Sequence, residues 1–266
     1  MKALIDGDVV AFRCAASCEP SKTKGQKRGE WYAENTEPLE EAIKRVDELM
    51  KRILNDTGVE EYECFLSSSD NFRKIIDSDY KAHRKDKKDP TWLQQCREHL
   101  LVNWKSVLAV GYEADDAIGI AHSDGTIVCS NDKDFQQLPG LHYNFVKSEF
   151  FKVTDLDAGR FIYKLLLIGD TADNIVGVAG IGKAKAEGIC NQFHDTKELH
   201  ERVKYLYGDD DRFYRNFTLC RILRSEAEYD TIINIFNENS VSQGKGETAT
   251  EASSTETLSP FSTVNS

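Results

Sequence analysis

Two spacings of apolar residues divide the chain into helices and strands. In residues 38–54 the apolar side chains recur every three or four positions, which predicts an amphipathic helix with Thr36 as its N-cap. Short apolar runs occur instead at residues 62–66, 107–110 and 126–130. Their length and composition are typical of buried strands, and the last of them ends at a polar Asn-Asp pair.

Further segments complete an alternating pattern. We expect a strand around residues 4–5, helices at 92–104 and 113–122, and two short strands near 142–145 and 150–153. Strands that alternate with helices form parallel sheets, because a parallel connection has to cross over the sheet. The pattern therefore predicts an α/β fold with a mostly parallel central sheet flanked by helices.

The C-terminal part has a different character. Helices are predicted at residues 156–168, 183–193, 196–205 and 211–223, with a glycine-rich turn at 177–182. From residue 239 the chain is rich in Ser, Thr, Glu and Gly and has few apolar residues, which is typical of disorder. We predict an α/β core at 1–154, a helical region at 155–238 and a disordered tail at 239–266.

Composition limits the classes of protein that fit. The chain has 266 residues, a net charge of −11 and a mean hydropathy of −0.51, and no apolar run is long enough to span a membrane. It opens on a strand-like segment instead of a signal peptide, so we expect a cytoplasmic protein. Its seven cysteines have irregular spacing, which indicates buried thiols, and neither a disulfide framework nor a zinc site.

The negative net charge of the chain does not by itself exclude a nucleic-acid partner. Basic surface is the usual mark of nucleic-acid binding. However, carboxylates that hold metal ions count as negative in the sequence and are neutralised once the ions bind. Basic residues are also concentrated at residues 81–88. The net charge therefore leaves the question open.

Acidic residues follow the predicted strands one after another. Because ligands bind at the carboxyl ends of parallel strands, these acids are expected to meet at one edge of the sheet. Such crowding is unfavourable without cations, and ligands that are all oxygen favour Mg²⁺ or Mn²⁺. The acids are Asp6, Asp8, Asp70, Glu113, Asp115, Asp116, Asp132 and Asp134, with Asp170 and Asp173 at the start of the helical region.

A structural interpretation of the same acids has to be weighed. An aspartate after a strand is often a helix N-cap, and acids at a helix start suit the helix dipole. Glu113 and Asp116 are spaced to share one face of a helix. Caps at so many successive strand ends would be a coincidence, so we favour a site that binds two or more divalent ions.

Several motifs together resemble one family. Asp6-Gly7-Asp8, Tyr80-Lys81, Glu113-Ala114-Asp115-Asp116 and Asp132-Lys133-Asp134 occur in the order found in 5′ nucleases of the flap endonuclease superfamily, which includes phage 5′→3′ exonucleases. The similarity also includes Gly169-Asp170-Thr171-Ala172-Asp173-Asn174 and extends over roughly residues 2–225. It implies a PIN-like core followed by a helix–three-turn–helix segment that binds DNA.

The resemblance also implies roles for individual residues. One metal group would consist of Asp6, Asp70, Glu113, Asp115 and Asp132, and a second of Asp116, Asp134, Asp170 and Asp173. Lys81, Arg84 and Arg13 would contact the scissile phosphate. In the glycine-rich turn, duplex contacts would come from Gly177, Gly180, Gly182, Lys183 and Lys185, and relatives bind K⁺ there. This chain has Ala184 where relatives usually carry a lysine.

The function implied is a 5′→3′ exonuclease or structure-specific 5′ nuclease that hydrolyses DNA by a two-metal-ion mechanism. Expected substrates are DNA with a 5′ end, nick or flap, and RNA–DNA hybrids in primer removal. We expect a monomer in the host cytoplasm, with a single-strand-binding protein as a further partner. Two alternatives remain open: a branched-DNA-binding protein of the same fold without catalysis, and a PIN-like single-strand ribonuclease.

Overall fold

The computed structural model describes residues 1–20, 34–82 and 88–243. A six-stranded sheet lies at the centre, in the order β3-β2-β1-β4-β5-β6. Every neighbouring pair is parallel except β5 and β6, so the prediction of a mostly parallel sheet is confirmed. The strands are β1 (Lys2–Asp6), β2 (Glu61–Ser67), β3 (Val107–Ala109), β4 (Thr126–Cys129), β5 (Gly140–Asn144) and β6 (Glu149–Val153).

Helices connect and cover these strands. Those of the α/β part are α1 (Gly7–Ser17), α2 (Leu39–Thr57), α3 (Arg73–Ile76), α4 (Leu93–Asn103) and α5 (Ala114–Ala121). The C-terminal helices are α6 (Asp155–Ile168), α7 (Lys183–Cys190), α8 (Thr196–Tyr207), α9 (Asp210–Cys220) and α10 (Glu226–Gln243). A short antiparallel pair, β7 (Gly169–Asp170) and β8 (Ile175–Val176), follows α6. A 3-10 helix spans Lys133–Gln137.

The ends of α2 follow local chemistry that the sequence indicated only in part. The predicted N-cap, Thr36, is wrong: Pro38 takes that position and no side chain caps the helix. Proline suits a helix start because its missing N–H is not needed there. At the other end, Gly58 has a φ of 63°, the left-handed conformation that favours glycine at a helix C-terminus.

Alternation along the central strand sends apolar side chains to both faces of the sheet. Ala3 and Ile5 of β1 join a core formed with α1, α2 and α4. Leu4 faces the opposite side, where α5 contributes Ile118 to a second core. Both faces of the sheet are therefore covered, as expected for parallel strands. All seven cysteines are buried and none forms a disulfide.

The C-terminal helices form a core of their own around Leu166, Phe213 and Phe217. Tyr80 from the α/β part also belongs to this core. Helix α10 was not expected: it runs to Gln243, so the predicted disordered tail does not begin at residue 239. The remainder of that predicted tail, residues 244–266, lies outside the described residues. Across the described residues, no helix combines the length and apolar character needed to cross a membrane. The division at residue 154 stays a prediction.

Candidate active site

Asp6 is the central acid of the site, at the carboxyl end of β1 in the middle of the sheet. Its Oδ1 accepts a hydrogen bond from the backbone N–H of Val9 at 3.1 Å, which caps α1. Its Oδ2 accepts one from the hydroxyl of Ser130 at 2.8 Å. Burial, reinforced by the charge of Asp132, raises the pKa of Asp6 to about 6. Asp6 is therefore both a cap and a carboxylate that resists ionisation without a nearby cation.

Glycine after Asp6 lets α1 start directly against the neighbouring strand. A Cβ at Gly7 would lie 2.6 Å from the carbonyl oxygen of Phe65 in β2. Such overlap with backbone would push α1 away from the sheet and displace Asp6 with it. The Asp6-Gly7 pair thus couples the acid to close packing between strand and helix.

The first turn of α5 brings further acids to the rim. Both carboxylate oxygens of Glu113 accept from Lys81 Nζ, at 2.7 and 2.8 Å, and Tyr80 OH donates to Oε2 at 3.1 Å. Burial raises the pKa of Glu113, but the charges of Lys81 and Arg73 outweigh this effect and the pKa is lowered. Burial and the charge of Glu113 raise the pKa of Asp115 well above its usual value.

Asp116 does not face the rim, and its predicted role as a metal ligand is revised. It is fully buried and forms a two-pronged ion pair with Arg73, at 2.5 and 2.8 Å. The backbone N–H groups of Glu113 and Leu223 donate to the same carboxylate, both at 3.1 Å. The three-residue spacing from Glu113 suggested one shared helix face, but Asp116 is committed to the protein interior.

A second group of acids lies where the C-terminal region meets the core. Asp134, Asp170 and Asp173 line one small pocket. Lys133 Nζ lies 3.3 Å from Asp170 Oδ2 and 3.7 Å from Asp134 Oδ1. Tyr80 OH also lies 3.2 Å from Asp173 Oδ2, so its one proton is shared between Glu113 and Asp173 and the tyrosine bridges the two groups.

Asp134 carries the least satisfied oxygen of this group. Its Oδ1 is buried, and no described residue makes a hydrogen bond to it. Burial, with the charges of Asp132 and Asp170, raises the pKa of Asp134 to about 6 despite the opposing charge of Lys133. A buried oxygen without a donor is suited to accept a cation.

Asp132 and Asp70 are exposed. Asp132 lies at the end of β4, where its Oδ1 caps the 3-10 helix by accepting from the N–H of Asp134 at 2.9 Å. Asp70 follows β2, and its Oδ1 accepts a hydrogen bond from the hydroxyl of Ser69 at 3.2 Å. Asp8 is paired with Arg97 and also accepts from the N–H of Ser67 at 2.9 Å. Asp70 and Asp132 are thus exposed to solvent, whereas Asp8 is held by an ion pair and a backbone hydrogen bond.

An open cavity of about 1250 Å³ adjoins the first group. Asp6, Asp115 and Asp132 line it together with Lys81 and Arg13. Arg13 is exposed on α1 and directs a positive charge toward the same space. Arg84, the other predicted phosphate contact, lies outside the described residues. The cavity therefore combines carboxylates with cations at its border.

The acids converge without forming a ready-made coordination sphere. Within residues 1–20, 34–82 and 88–243, no three His, Cys, Asp or Glu side chains are close enough to hold one ion together. Asp70 lies outside the cavity that Asp6, Glu113, Asp115 and Asp132 share. Lys81 and Lys133 occupy positions between carboxylates and offset their repulsion. The two predicted metal groups therefore stay predictions at this point.

The glycine-rich turn contains two kinds of glycine. Gly177 is buried, and a Cβ there would lie 2.4 Å from the backbone N of Gly169, so its role is to let β7 and β8 approach each other. Gly180 has a φ of 74° and, like Gly182, has open space around it. Gly182 is the N-cap of α7, where no side chain caps the helix.

Lys183 and Lys185 are exposed in the first turn of α7. Free N–H groups at a helix start attract anions, and two lysines beside them add positive charge. The predicted duplex contact at Gly177 is therefore better placed at Gly180, Gly182 and the two lysines. That assignment remains a prediction.

Sequence reasoning gave no roles to several residues that shape the site. Arg73, Tyr80 and Ser130 each contact an acid directly, as do Arg97 and Lys133. Tyr80 and Lys133 stand next to residues that were singled out, so adjacency was an available signal. The pairing of Arg97 with Asp8 spans 89 residues along the chain and has no local signal.

Comparison with known proteins identifies the family. Residues 2–161, more than half of the chain, match the family described as 5′-3′ exonuclease, N-terminal resolvase-like domain. The chain belongs to the 5′-3′ exonuclease family. Membership places it among hydrolytic nucleases and confirms the resemblance seen in its motifs.

Curated relatives of this family extend the comparison. The chain is 27% identical over 220 residues to the 5′-3′ exonuclease of Buchnera aphidicola subsp. Acyrthosiphon pisum, covering 76% of this chain and 73% of that protein. It is 30% identical over 159 residues to flap endonuclease Xni of Shewanella frigidimarina, covering 51% of this chain and 60% of that protein. The chain also spans less than two thirds of the length of several other curated relatives that it matches.

Solved structures share the fold. The T5 5′-exonuclease with bound zinc has a TM-score of 0.61 at 17% identity, covering 91% of this chain and 99% of that chain. The bacteriophage T5 flap endonuclease in complex with DNA and metal ions has a TM-score of 0.60 at 16% identity, covering 91% and 98%. At such identities the likeness establishes the fold, and it confirms the predicted α/β architecture.

Proposed function

We propose that this chain is a divalent-metal-dependent 5′ nuclease that hydrolyses phosphodiester bonds in DNA. One observation carries the proposal: acids from β1, β4 and α5 meet around a single open cavity, with Lys81 among them. Carboxylates facing a polyanion are unfavourable unless cations lie between them. The family, in which relatives are exonucleases and flap endonucleases, agrees with this chemistry.

The donors present fit divalent ions. All are carboxylate oxygens, which suit Mg²⁺ or Mn²⁺, and the buried Oδ1 of Asp134 has no hydrogen-bond donor among the described residues. The first group would use Asp6, Asp70, Glu113, Asp115 and Asp132, and the second Asp134, Asp170 and Asp173. Ions bound there would polarise the phosphate ester and neutralise its charge.

Lys81 and Arg13 position the phosphate. The ammonium of Lys81 lies against Glu113 and is 3.8 Å from Asp173, so it stands between the two groups of acids. A phosphate that enters the cavity offers Lys81 an alternative anionic partner, and Arg13 on α1 provides a second cation at the border. By resemblance Arg84 adds a third.

The glycine-rich turn holds the duplex. Gly180 and Gly182 leave the backbone accessible at the start of α7, with Lys183 and Lys185 beside it. Contacts of this kind recognise phosphate and carry no sequence information. K⁺ bound to the turn would add positive charge at the same place.

The related T5 flap endonuclease is known in complex with DNA and metal ions, and we assign DNA with a 5′ end, nick or flap to this chain. RNA–DNA hybrids are a second substrate, which suits primer removal. The protein acts as a monomer in the cytoplasm, with a single-strand-binding protein as a further partner.

A 5′-labelled flapped duplex and a nicked duplex test the proposal. Wild-type protein should release the label with Mg²⁺ or Mn²⁺ and leave the substrate intact with EDTA. Mononucleotide products indicate an exonuclease, and a released flap indicates an endonuclease. Intact substrate with both metals, together with tight DNA binding, would favour the non-catalytic branched-DNA-binding alternative.

A further inference from the structure

Arg73 is a buried arginine beneath the acidic rim, with 2% of its surface exposed. Its Nη1 and Nη2 donate to the two carboxylate oxygens of Asp116 at 2.5 and 2.8 Å. Nε donates to the carbonyl of Leu219 at 2.9 Å, and Nη2 also donates to that of Arg221 at 2.7 Å. A single guanidinium thus ties α5 to the last turn of α9 and to the segment that follows it.

Asp116 receives contacts from both sides of the same junction. The N–H of Glu113 donates to one oxygen and the N–H of Leu223 to the other, each at 3.1 Å. Close packing accompanies these bonds, since a Cβ at Gly119 of α5 would lie 2.2 Å from the carbonyl oxygen of Leu223. The first turn of α5 is therefore clamped against residues 219–223.

The clamp lies directly behind the acids that face the cavity. Glu113, the N-cap of α5, and Asp115 precede Asp116 at the start of that helix, and Arg73 Nη1 is 3.9 Å from Glu113 Oε2. A planar guanidinium with two prongs on one carboxylate fixes orientation as well as distance. Rotation of the first turn of α5 would break these bonds, so the directions of Glu113 and Asp115 depend on them.

We propose that Arg73 and Asp116 form a positioning pair, which holds the first turn of α5 so that Glu113 and Asp115 face the metal ions. The inference rests on the proposed metal-dependent function. Neither residue contacts substrate, and the pair acts through the two acids that it orients. Groups that orient metal ligands typically contribute about 10- to 100-fold to metal affinity or activity.

The test compares the loss of this ion pair with the loss of a buried polar contact that lies outside the clamp. The double variant Arg73→Gln/Asp116→Asn removes the clamp and leaves no uncompensated charge. The control Tyr207→Phe removes a buried hydroxyl that donates to the carbonyl of Leu166 at 2.8 Å and accepts from Asn216 Nδ2 at 3.2 Å, and neither a rim acid nor residues 219–223 take part. Calorimetry measures the affinity for Mn²⁺, and cleavage of the flapped duplex gives kcat and KM. Thermal unfolding gives Tm.

We expect the clamp variant to bind Mn²⁺ about tenfold or more weakly and to lose kcat with KM little changed. The control should lower Tm but keep wild-type Mn²⁺ affinity and kcat. A clamp variant with lowered Tm but wild-type Mn²⁺ affinity and kcat would overturn the inference, since the pair would then be structural only.

If the double variant does not fold, Arg73→Lys provides the test instead. Lysine keeps the charge but lacks the planar fork, so weaker Mn²⁺ binding by this variant supports the inference and wild-type affinity overturns it. Failure of the proposed function is distinguishable: wild-type protein itself would then neither bind Mn²⁺ nor cleave the duplex.

Discussion

Replacing Asp134 by asparagine should stabilise the metal-free protein. The carboxylate has a buried Oδ1 without a hydrogen-bond donor among the described residues. Burial and the charges of Asp132 and Asp170 raise its pKa from 3.8 to about 6. Asparagine has nearly the same shape and carries no charge, so the variant removes the repulsion without leaving a cavity.

The sign and size follow from the pKa. Because the folded protein holds this proton more tightly than the unfolded chain, stability is lost as pH rises from about 4 to about 6 and stays low above that range. A rise from 3.8 to about 6 corresponds to about 3 kcal/mol. A quarter of the side chain of Asp134 is exposed, so we expect about 2 kcal/mol.

Urea denaturation in EDTA provides the assay. At about pH 7.5 Asp134→Asn should be more stable than wild type by about 2 kcal/mol, and at about pH 5 by about half as much. Mg²⁺ should reverse the order, since it stabilises the protein that binds it more tightly. Asp124→Asn, which lies just before the amino end of β4 and so away from the acids, should leave the stability unchanged. Equal or lower stability of Asp134→Asn in EDTA at the higher pH would refute the reasoning.

Four other variants give three distinct readouts. Lys81→Met should lower the rate of single-turnover cleavage by about 100-fold or more. It should not weaken Mn²⁺ binding, because it frees the carboxylate of Glu113 from its ion pair. Weaker Mn²⁺ binding would contradict this prediction. Gly177→Ala should cost about 3 kcal/mol in thermal unfolding through backbone overlap, and Gly180→Ala only about 1 through its left-handed φ; the reverse ranking would contradict the geometry. For Lys183→Ala/Lys185→Ala, fluorescence anisotropy measures DNA binding at several salt concentrations. The slope of the logarithm of the binding constant against the logarithm of the salt concentration should become less steep by about 2. An unchanged slope would exclude these phosphate contacts.

The sheet and its acidic rim were predictable because both depend on local patterns. Apolar runs such as Thr126–Cys129 mark buried strands, and the direction of parallel strands then places Asp6 and Asp132 at the same edge. Helix α1 was not predicted, because Asp6-Gly7-Asp8 at its start was considered only as a group of acids at a strand end. Helix α10 was missed because its polar residues resemble those of the tail.

The interior ion pairs could not be predicted. Arg73 and Asp116 are 43 residues apart in the chain, and nothing local indicates which acid an arginine will choose. Asp115 and Asp116 are adjacent and chemically identical, yet one lines the cavity and the other is buried. Only the packing of α5 against residues 219–223 separates their roles.

The most direct test of the metal-dependent nuclease is single-turnover cleavage of a 5′-labelled flapped duplex by wild type and Asp132→Asn in Mg²⁺. Asp132 is exposed at the rim, so the substitution should leave folding intact, and Asp124→Asn provides a matched control. We predict that Asp132→Asn binds the duplex as tightly as wild type but cleaves it at least about 100-fold more slowly. Cleavage by Asp132→Asn at the wild-type rate would contradict the account.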